Sequence, residues 1–196
     1  MTIIGYAYDA CRRSVSDNQV RMEELKTLIR TAVNQLLLKD RLIFDAPIGQ
    51  EDTEIERVLH EVCINHRLAV HLENNLDPNL YAGFSVDIEY NRNYEVVKKA
   101  RRTEDEQEIT VRPDILIHKR VGGDIDNDNY LVVEAKKQDI IANDINKIER
   151  LILDTRFKYK YGMTISYLRN PDFVECVIFF LNGDGEIETE VLNIPK

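Results

Sequence analysis

The chain has 196 residues, and 43% of them are hydrophobic, which is enough for one domain with a continuous core. Its formal net charge of -9 argues against a protein that holds nucleic acid through a strongly basic surface, although it is compatible with a carboxylate site that binds a cation. No stretch reaches the roughly 18 apolar residues of a membrane span. The N-terminus also lacks a secretory pattern. We therefore expect a cytoplasmic protein with no membrane partner.

Three cysteines are widely separated along the chain: Cys11, Cys63 and Cys176. No CxxC pair is present, so the sequence predicts neither a zinc knuckle nor a dithiol redox centre. We expect reduced thiols.

Two helices are predicted before the first strand. Apolar positions recur at helical spacing over residues 17–40, behind the candidate caps Ser16 and Asp17. A second helical pattern begins with a possible capping box of Thr53 and Glu56 and continues to Leu76, before Pro78. The sequence thus predicts two helices that end before Pro78.

The remaining pattern alternates strands with one helix. Strands are predicted at Phe84–Tyr90, Ile109–His118, Tyr130–Lys137, Met163–Leu168, Glu175–Leu181 and Glu186–Leu192. Residues 91–108 are polar and are expected to form a loop, whereas Asn143 or Asp144 can cap a third helix. The Asn182–Gly185 turn predicts a C-terminal hairpin over residues 175–193. The order α-α-β-β-β-α-β-β-β predicts a single α/β domain over residues 1–196.

Acidic residues and a lysine stand at three positions in this pattern. Strand geometry places Glu134 and Lys136 on one face of their strand, because alternate side chains point to opposite sides. Asp114 follows Pro113, which suits a strand start or a distortion. If the two strands are neighbours, Asp114 and Glu134 could share one cation, and magnesium prefers such oxygen ligands with water.

Glu61 is the candidate acid on the second helix. Its helical neighbours at minus three, plus three and plus seven are Val58, Ile64 and Leu68, so it is expected to face packed surface. A half-buried carboxylate needs a partner or a metal ion. Glu54 and Glu56 compete for this role, although acids near a helix start are favoured by the helix dipole alone.

These residues resemble the motif of the PD-(D/E)xK nuclease superfamily, which has a helical acid, then Asp, then (D/E)xK on adjacent strands. The resemblance implies a restriction-endonuclease-like core, with a central mixed β-sheet flanked by helices. It also implies that Glu61, Asp114 and Glu134 bind Mg²⁺ or Mn²⁺ and that Lys136 is catalytic. The expected activity is phosphodiester hydrolysis, with DNA as the substrate and a homodimer as a possible assembly.

The resemblance covers roughly residues 53 to 168. Three further segments resemble those of uncharacterised bacterial members of the superfamily: His66–Ala69, Glu89–Arg92 and Arg112–His118. The helix at residues 17–40 and the hairpin at residues 175–193 lie outside it, as elaborations or a dimer surface.

Two alternatives remain beside the nuclease prediction. A Glu-x-Lys pair on a strand is often only a solvated ion pair, and a nuclease fold can persist as an inactive module that binds nucleic acid or a protein. Lys147, Arg150 and Lys158 form a basic side of the third helix, which could flank nucleic acid or merely face water.

Overall fold

The computed structural model of the protein describes residues 3–44, 61–93, 96–97, 99–101, 108–121 and 123–196. The helices in these ranges are α1 (Ile3–Lys39), α2 (Arg41–Phe44), α3 (Glu61–Asn75), α4 (Ile125–Asp128) and α5 (Ala142–Leu153). The strands are β1 (Ser85–Ile88), β2 (Arg92–Asn93), β3 (Val96–Val97), β4 (Lys99–Arg101), β5 (Glu108–Thr110), β6 (Ile115–His118), β7 (Asn129–Lys136), β8 (Tyr161–Ser166), β9 (Phe173–Leu181) and β10 (Ile187–Pro195).

Six strands form a mixed sheet in the order β1-β6-β7-β8-β9-β10. Neighbouring strands are antiparallel except β7 and β8, which run parallel and are connected through α5. A parallel pair needs such a crossover, because a short turn can only join antiparallel strands. The α/β class is therefore confirmed, and the strands of this sheet follow the predicted order of three strands, then the helix α5, then three strands.

Helices cover both faces of this sheet. On one face, α1 and α3 pack in a core that includes Leu131, Val133 and Ala135 of β7. On the other face, Ile148 and its neighbours on α5 pack in a core that includes Val132. Because β7 is buried from both sides, its sequence is nearly continuously apolar rather than alternating.

Polar contacts join α1 to α3. Asp40, just after α1, lies 2.6 Å from His71 Nε2 through its Oδ2 and accepts a hydrogen bond from Arg67 Nε at 2.8 Å through its Oδ1. Burial disfavours the ionised form, but the bonds from His71 and Arg67 hold the pKa of Asp40 below its ordinary value. The side-chain amides of Gln35 and Asn75 also bond to each other. These contacts fix α3 against α1.

The first helix is longer than predicted. It begins at Ile3 rather than at residue 17, so Ser16 and Asp17 lie inside the helix and do not cap it. Such residues favour a helix start through side-chain bonds to the backbone, but an interior position is also tolerated. The capping box proposed for Thr53 and Glu56 lies outside the described residues, as do Glu54 and Val58.

The polar segment predicted as a loop contains short strands. Within residues 91–108, β2 pairs with β3, and β4 pairs with β5. Strands of two or three residues are too short to show a period-two pattern. The single strand predicted at Ile109–His118 is instead divided between β5 and β6, and Pro113 lies in the gap, where the absence of an N–H disrupts no ladder.

The start of α5 also differs from the prediction. Its N-cap position is Ile141, and Asp144 lies in the first turn, where its Oδ2 accepts a hydrogen bond from the Ile141 N–H at 3.1 Å. An acid is favoured there by the helix dipole. Asp144 therefore stabilises the helix start from inside the helix, and neither Asn143 nor Asp144 occupies the cap itself.

The predicted C-terminal hairpin is formed by β9 and β10, and it belongs to the six-stranded sheet. The connecting turn is closed by Asn182, whose Oδ1 accepts hydrogen bonds from the N–H groups of Asp184 and Glu186. Gly185 has a φ of 81°, a left-handed conformation that favours glycine. The predicted Asn-Gly-Asp-Gly turn is thus confirmed.

A close contact at Gly162 joins β8 to α5. A Cβ atom added there would lie 2.2 Å from Ile148 Cγ2 and 3.0 Å from Ile152 Cδ1, which is closer than packed atoms can approach. The glycine therefore lets α5 lie directly on the sheet, beside Val132, the partner of Gly162 on β7.

The described cysteines are free, as predicted: Cys63 is exposed and Cys176 is buried. The side chain of Cys11 lies outside the described residues. No helix in the described part of the chain is long and apolar enough to cross a membrane.

Candidate active site

Asp114 lies just before β6, in the irregular stretch after Pro113. Its backbone N–H donates to the carbonyl of Val133 at 3.1 Å, so this residue is still joined to β7. Its side chain turns toward the same strand, where Oδ2 accepts a hydrogen bond from the Ala135 N–H at 2.8 Å. Burial raises the pKa of Asp114 above its ordinary value, against the effect of that hydrogen bond. One carboxylate is thus held beside the C-terminal half of β7.

Glu134 is a charged side chain inside the buried part of β7, and only 2% of its surface is exposed. The ammonium of Lys147, on α5, lies 2.6 Å from Glu134 Oε1 as an ion pair and donates a hydrogen bond to the carbonyl of Arg112 at 2.9 Å. The approach of Lys147 to Oε1 is off the ideal hydrogen-bond direction, so its charge is the main interaction with this buried oxygen. Burial raises the pKa of Glu134 to about 7, an effect that Lys147 opposes and the Asp114 charge increases.

Lys136 and Glu61 meet between β7 and α3. Lys136 Nζ lies 3.3 Å from Glu61 Oε1, and the other oxygen of Glu61 accepts a hydrogen bond from the Lys137 N–H at 3.1 Å. Lys136 Nζ is also 4.0 Å from Asp144 Oδ1 on α5. Burial disfavours the ammonium, but the charges of Asp114, Glu61 and Asp144 outweigh it and raise the pKa of Lys136. Lys136 is therefore a positive charge at neutral pH.

The structure brings the four predicted site residues into one neighbourhood. Glu61 and Lys136 are in contact, and both are close enough to Asp114 to shift its pKa. Asp114 and Lys136 in turn shift the pKa of Glu134. The neighbourhood is formed by the start of α3, the residue before β6 and the last three positions of β7.

The carboxylates are not drawn together around a common point. Among the residues that the structure describes, no three His, Cys, Asp or Glu side chains form a group that could hold a metal ion. The donor set nevertheless fits Mg²⁺ in kind, because this ion is usually held by one or two carboxylates and keeps several waters. Glu134 Oε1 shows that this position attracts a cation, because the ammonium of Lys147 lies 2.6 Å from it without hydrogen-bond geometry.

Two residues of this neighbourhood were not predicted as part of the site. Asp144 was considered only as a helix cap, and Lys147 only as part of a basic helix side. The burial of Asp144, Ile148 and Leu151 defines the inner face of α5, and Lys147 lies three positions after Asp144 and four before Leu151, next to that face. The inward direction of Lys147 could have been inferred from this spacing, whereas its contact with Glu134 depends on how closely α5 approaches the sheet.

Comparison with known proteins adds no family assignment: no protein-family model matches the chain, and no curated protein matches it.

Proposed function

We propose that this protein is a metal-dependent nuclease that hydrolyses phosphodiester bonds in DNA, on a restriction-endonuclease-like core. The proposal rests on the gathering of Glu61, Asp114, Glu134 and Lys136, which come from a helix and two adjacent strands. The chain order of these four residues is that of the superfamily motif. The six-stranded mixed sheet with helices on both faces is compatible with such a core.

Each residue would have a distinct task. Asp114 and Glu134 would hold Mg²⁺ or Mn²⁺ through carboxylate oxygens, with Glu61 as a further ligand directly or through water. A bound Mg²⁺ would polarise the scissile phosphate and lower the pKa of a water molecule. Lys136 would hold its positive charge next to the phosphate and stabilise the charge that develops during hydrolysis. The carboxylates that raise the pKa of Lys136 keep it in the charged form that this task requires.

The test is cleavage of a panel of single-stranded, duplex and branched DNA with Mg²⁺ or Mn²⁺. We expect cleavage by the wild-type protein and a loss of about 100-fold or more in the Asp114→Asn and Lys136→Met variants. Asparagine suits Asp114 because its carbonyl oxygen can still accept the Ala135 hydrogen bond while the charge is removed. A loss of cleavage in this variant would therefore come from the missing charge and not from a disrupted fold.

Asp184→Asn and Lys39→Met are the matched controls, because both residues are exposed and lie outside the candidate site. They should cleave as the wild type does. Equal cleavage by Asp114→Asn, Lys136→Met and wild type would show that the activity comes from elsewhere and would contradict the proposal.

One observation favours a second function, that of a catalytically inactive nuclease-fold module. The ammonium of Lys147 lies against Glu134, at the place where a metal ion would have to bind. A permanent Lys147–Glu134 ion pair would neutralise the buried carboxylate without a metal. In that case the protein would bind nucleic acid or a protein partner without cutting, and no metal ion would produce cleavage in the panel.

A further inference from the structure

A cavity of about 510 Å³ lies at the opposite end of β7 from the candidate active site. It is bounded by α1, by the loop before β1 and by the residues that begin β7 and precede β8. Its volume is in the range of small-molecule sites, roughly 300–1,000 Å³. About 13 Å of strand separates Tyr130, at the cavity, from Glu134, at a rise of about 3.3 Å per residue.

The cavity is lined by more positive than negative charge, in a chain whose net charge is -9. Arg21, Lys119 and Lys160 face a single carboxylate, Glu24. Lys119 is neutralised by Asp128, whose Oδ1 is 2.9 Å away. Among the described residues, Arg21 and Lys160 make no ion pair and no side-chain hydrogen bond.

Lys160 is affected by the excess of positive charge at the cavity. It is half-buried, and its ammonium lies over the ring of Tyr161, 5.6 Å from the centroid. Burial and the nearby charge of Arg21 lower its pKa, against the effect of Glu24. Two cations that repel each other at the wall of a cavity are stabilised by an anion that binds between them.

The other wall of the cavity is aromatic and apolar. Tyr81, Phe84 and Tyr130 form a cluster of edge-to-face rings with centroids 5.0 to 6.2 Å apart. Leu80, which is 59% exposed, extends this apolar surface at the rim. Aromatic side chains stack on nucleobases with little regard to base identity. The cavity thus joins a site for an anion to a surface for a planar ring.

We propose that this cavity binds a nucleoside 5′-monophosphate, either free or as the 5′-phosphorylated end of a DNA strand. The phosphate lies between Arg21 and Lys160, and the base packs on Tyr81. This inference does not depend on the nuclease proposal, because none of these residues belongs to the candidate active site.

Isothermal titration calorimetry of the full chain tests the proposal with five probes: dAMP, deoxyadenosine, inorganic phosphate, and a short oligonucleotide with or without a 5′-phosphate. We expect dAMP to bind at least about tenfold more tightly than deoxyadenosine or phosphate, because each lacks one half of the contacts. Comparable binding of dAMP and the phosphorylated oligonucleotide indicates a strand end, and binding of dAMP alone indicates a free nucleotide. The titrations are performed without divalent metal, so that cleavage does not interfere.

Matched variants locate the binding. Arg21→Ala and Lys160→Met should each weaken dAMP binding by about tenfold or more, whereas Lys160→Arg keeps the charge and should retain it. Arg30→Ala is the control, because Arg30 is exposed on the same helix and does not line the cavity. The proposal is wrong if neither dAMP nor the phosphorylated oligonucleotide binds at about 1 mM, or if the Arg21→Ala Lys160→Met double variant binds as tightly as wild type.

Discussion

The two ends of β7 present opposite electrostatic situations. At the Glu134 end, carboxylates have cationic neighbours from the protein itself: Lys147 lies against the buried Glu134, and Lys136 lies against the half-exposed Glu61. At the Tyr130 end, the cations Arg21 and Lys160 converge without a bonded carboxylate. Charges that are already paired stabilise the fold, whereas charges left unpaired favour a ligand of the opposite sign. The comparison predicts that removing a lysine has opposite effects on stability at the two ends.

The largest expected effect comes from separating α5 from the sheet. Gly162→Ala places a methyl group against Ile148, and we expect a loss of about 3 kcal/mol in the free energy of unfolding from overpacking. Urea denaturation measures it. Gly183→Ala is the control, because a Cβ atom there meets nothing within 4 Å. Equal stability of the two variants would show that α5 does not rest on β8 as described.

A smaller loss is expected when the cation at the Glu134 end is removed. Lys147→Met leaves a buried carboxylate without its ion pair, and we expect a loss of about 2 kcal/mol in urea denaturation, less than for a fully buried pair because Lys147 is partly exposed. Lys147→Arg should lose much less, since the charge remains. If metal and Lys147 compete for Glu134, Mn²⁺ raises the melting temperature of Lys147→Met more than that of wild type. The inactive-module alternative predicts no effect of Mn²⁺ on the wild type, in which Lys147 stays paired with Glu134.

Asp87, which is paired with Arg120 and His118 near the Tyr130 end of β7, provides a pH-dependent test. Burial disfavours the ionised form of Asp87, but hydrogen bonds from Arg120 and His118 outweigh it and lower the pKa of Asp87. A folded-state pKa below the unfolded value stabilises the protein above the unfolded pKa, and this contribution is lost as the pH falls through the folded-state pKa. Asp87→Asn should therefore cost about 1 kcal/mol at pH 7 and progressively less in acid.

Urea denaturation of Asp87→Asn at a series of pH values down to acid measures this dependence. Asp184→Asn, an exposed residue in the β9–β10 turn, should remove little stability at any pH. A constant deficit of Asp87→Asn across the series would contradict the assignment of its stability to the ionised carboxylate.

The smallest expected effect has the opposite sign. Lys160→Met removes a half-buried cation that contacts no carboxylate of the described residues, and we expect the free energy of unfolding to rise by less than about 1 kcal/mol in the absence of ligand. Thermal unfolding compares this variant with Lys147→Met. A decrease in stability for both variants would contradict the prediction that removing a lysine has opposite effects on stability at the two ends of β7.

Much of the architecture could be predicted because it depends on local patterns. The apolar run of β7, the helical spacing of α5 and the Asn-Gly turn each fix one element, and together they give the α/β order. The start of α1 could not be predicted, since Ser16 and Asp17 have the same chemistry inside a helix as at its cap. The short strands around residues 91–108 carry no period that distinguishes them from a loop.

For the candidate site, the alternation of side chains along a strand predicts which residues share a face of β7, and it predicts nothing about contacts with other elements. Alternation on β7 places the side chains of Glu134 and Val133 on opposite faces of the sheet. It does not reveal that Lys147 lies against Glu134. That contact depends on the distance between α5 and the sheet, which Gly162 sets from another part of the chain. The cavity at the Tyr130 end depends still less on local sequence, because Arg21 and Lys160, which both line it, are 139 positions apart in the chain.

The hydrogen bond from the Ala135 N–H to Asp114 makes the position of this carboxylate depend on how β6 and β7 pair. The donor amide lies between Glu134 and Lys136, so this bond forms only in the register that pairs Ile115 with Val133. A slip of one residue would turn Glu134 and Lys136 toward the opposite face of the sheet. A chain misfolded in that way would lose its acidic cluster together with its core, so correct strand pairing is a condition for the candidate site to form at all.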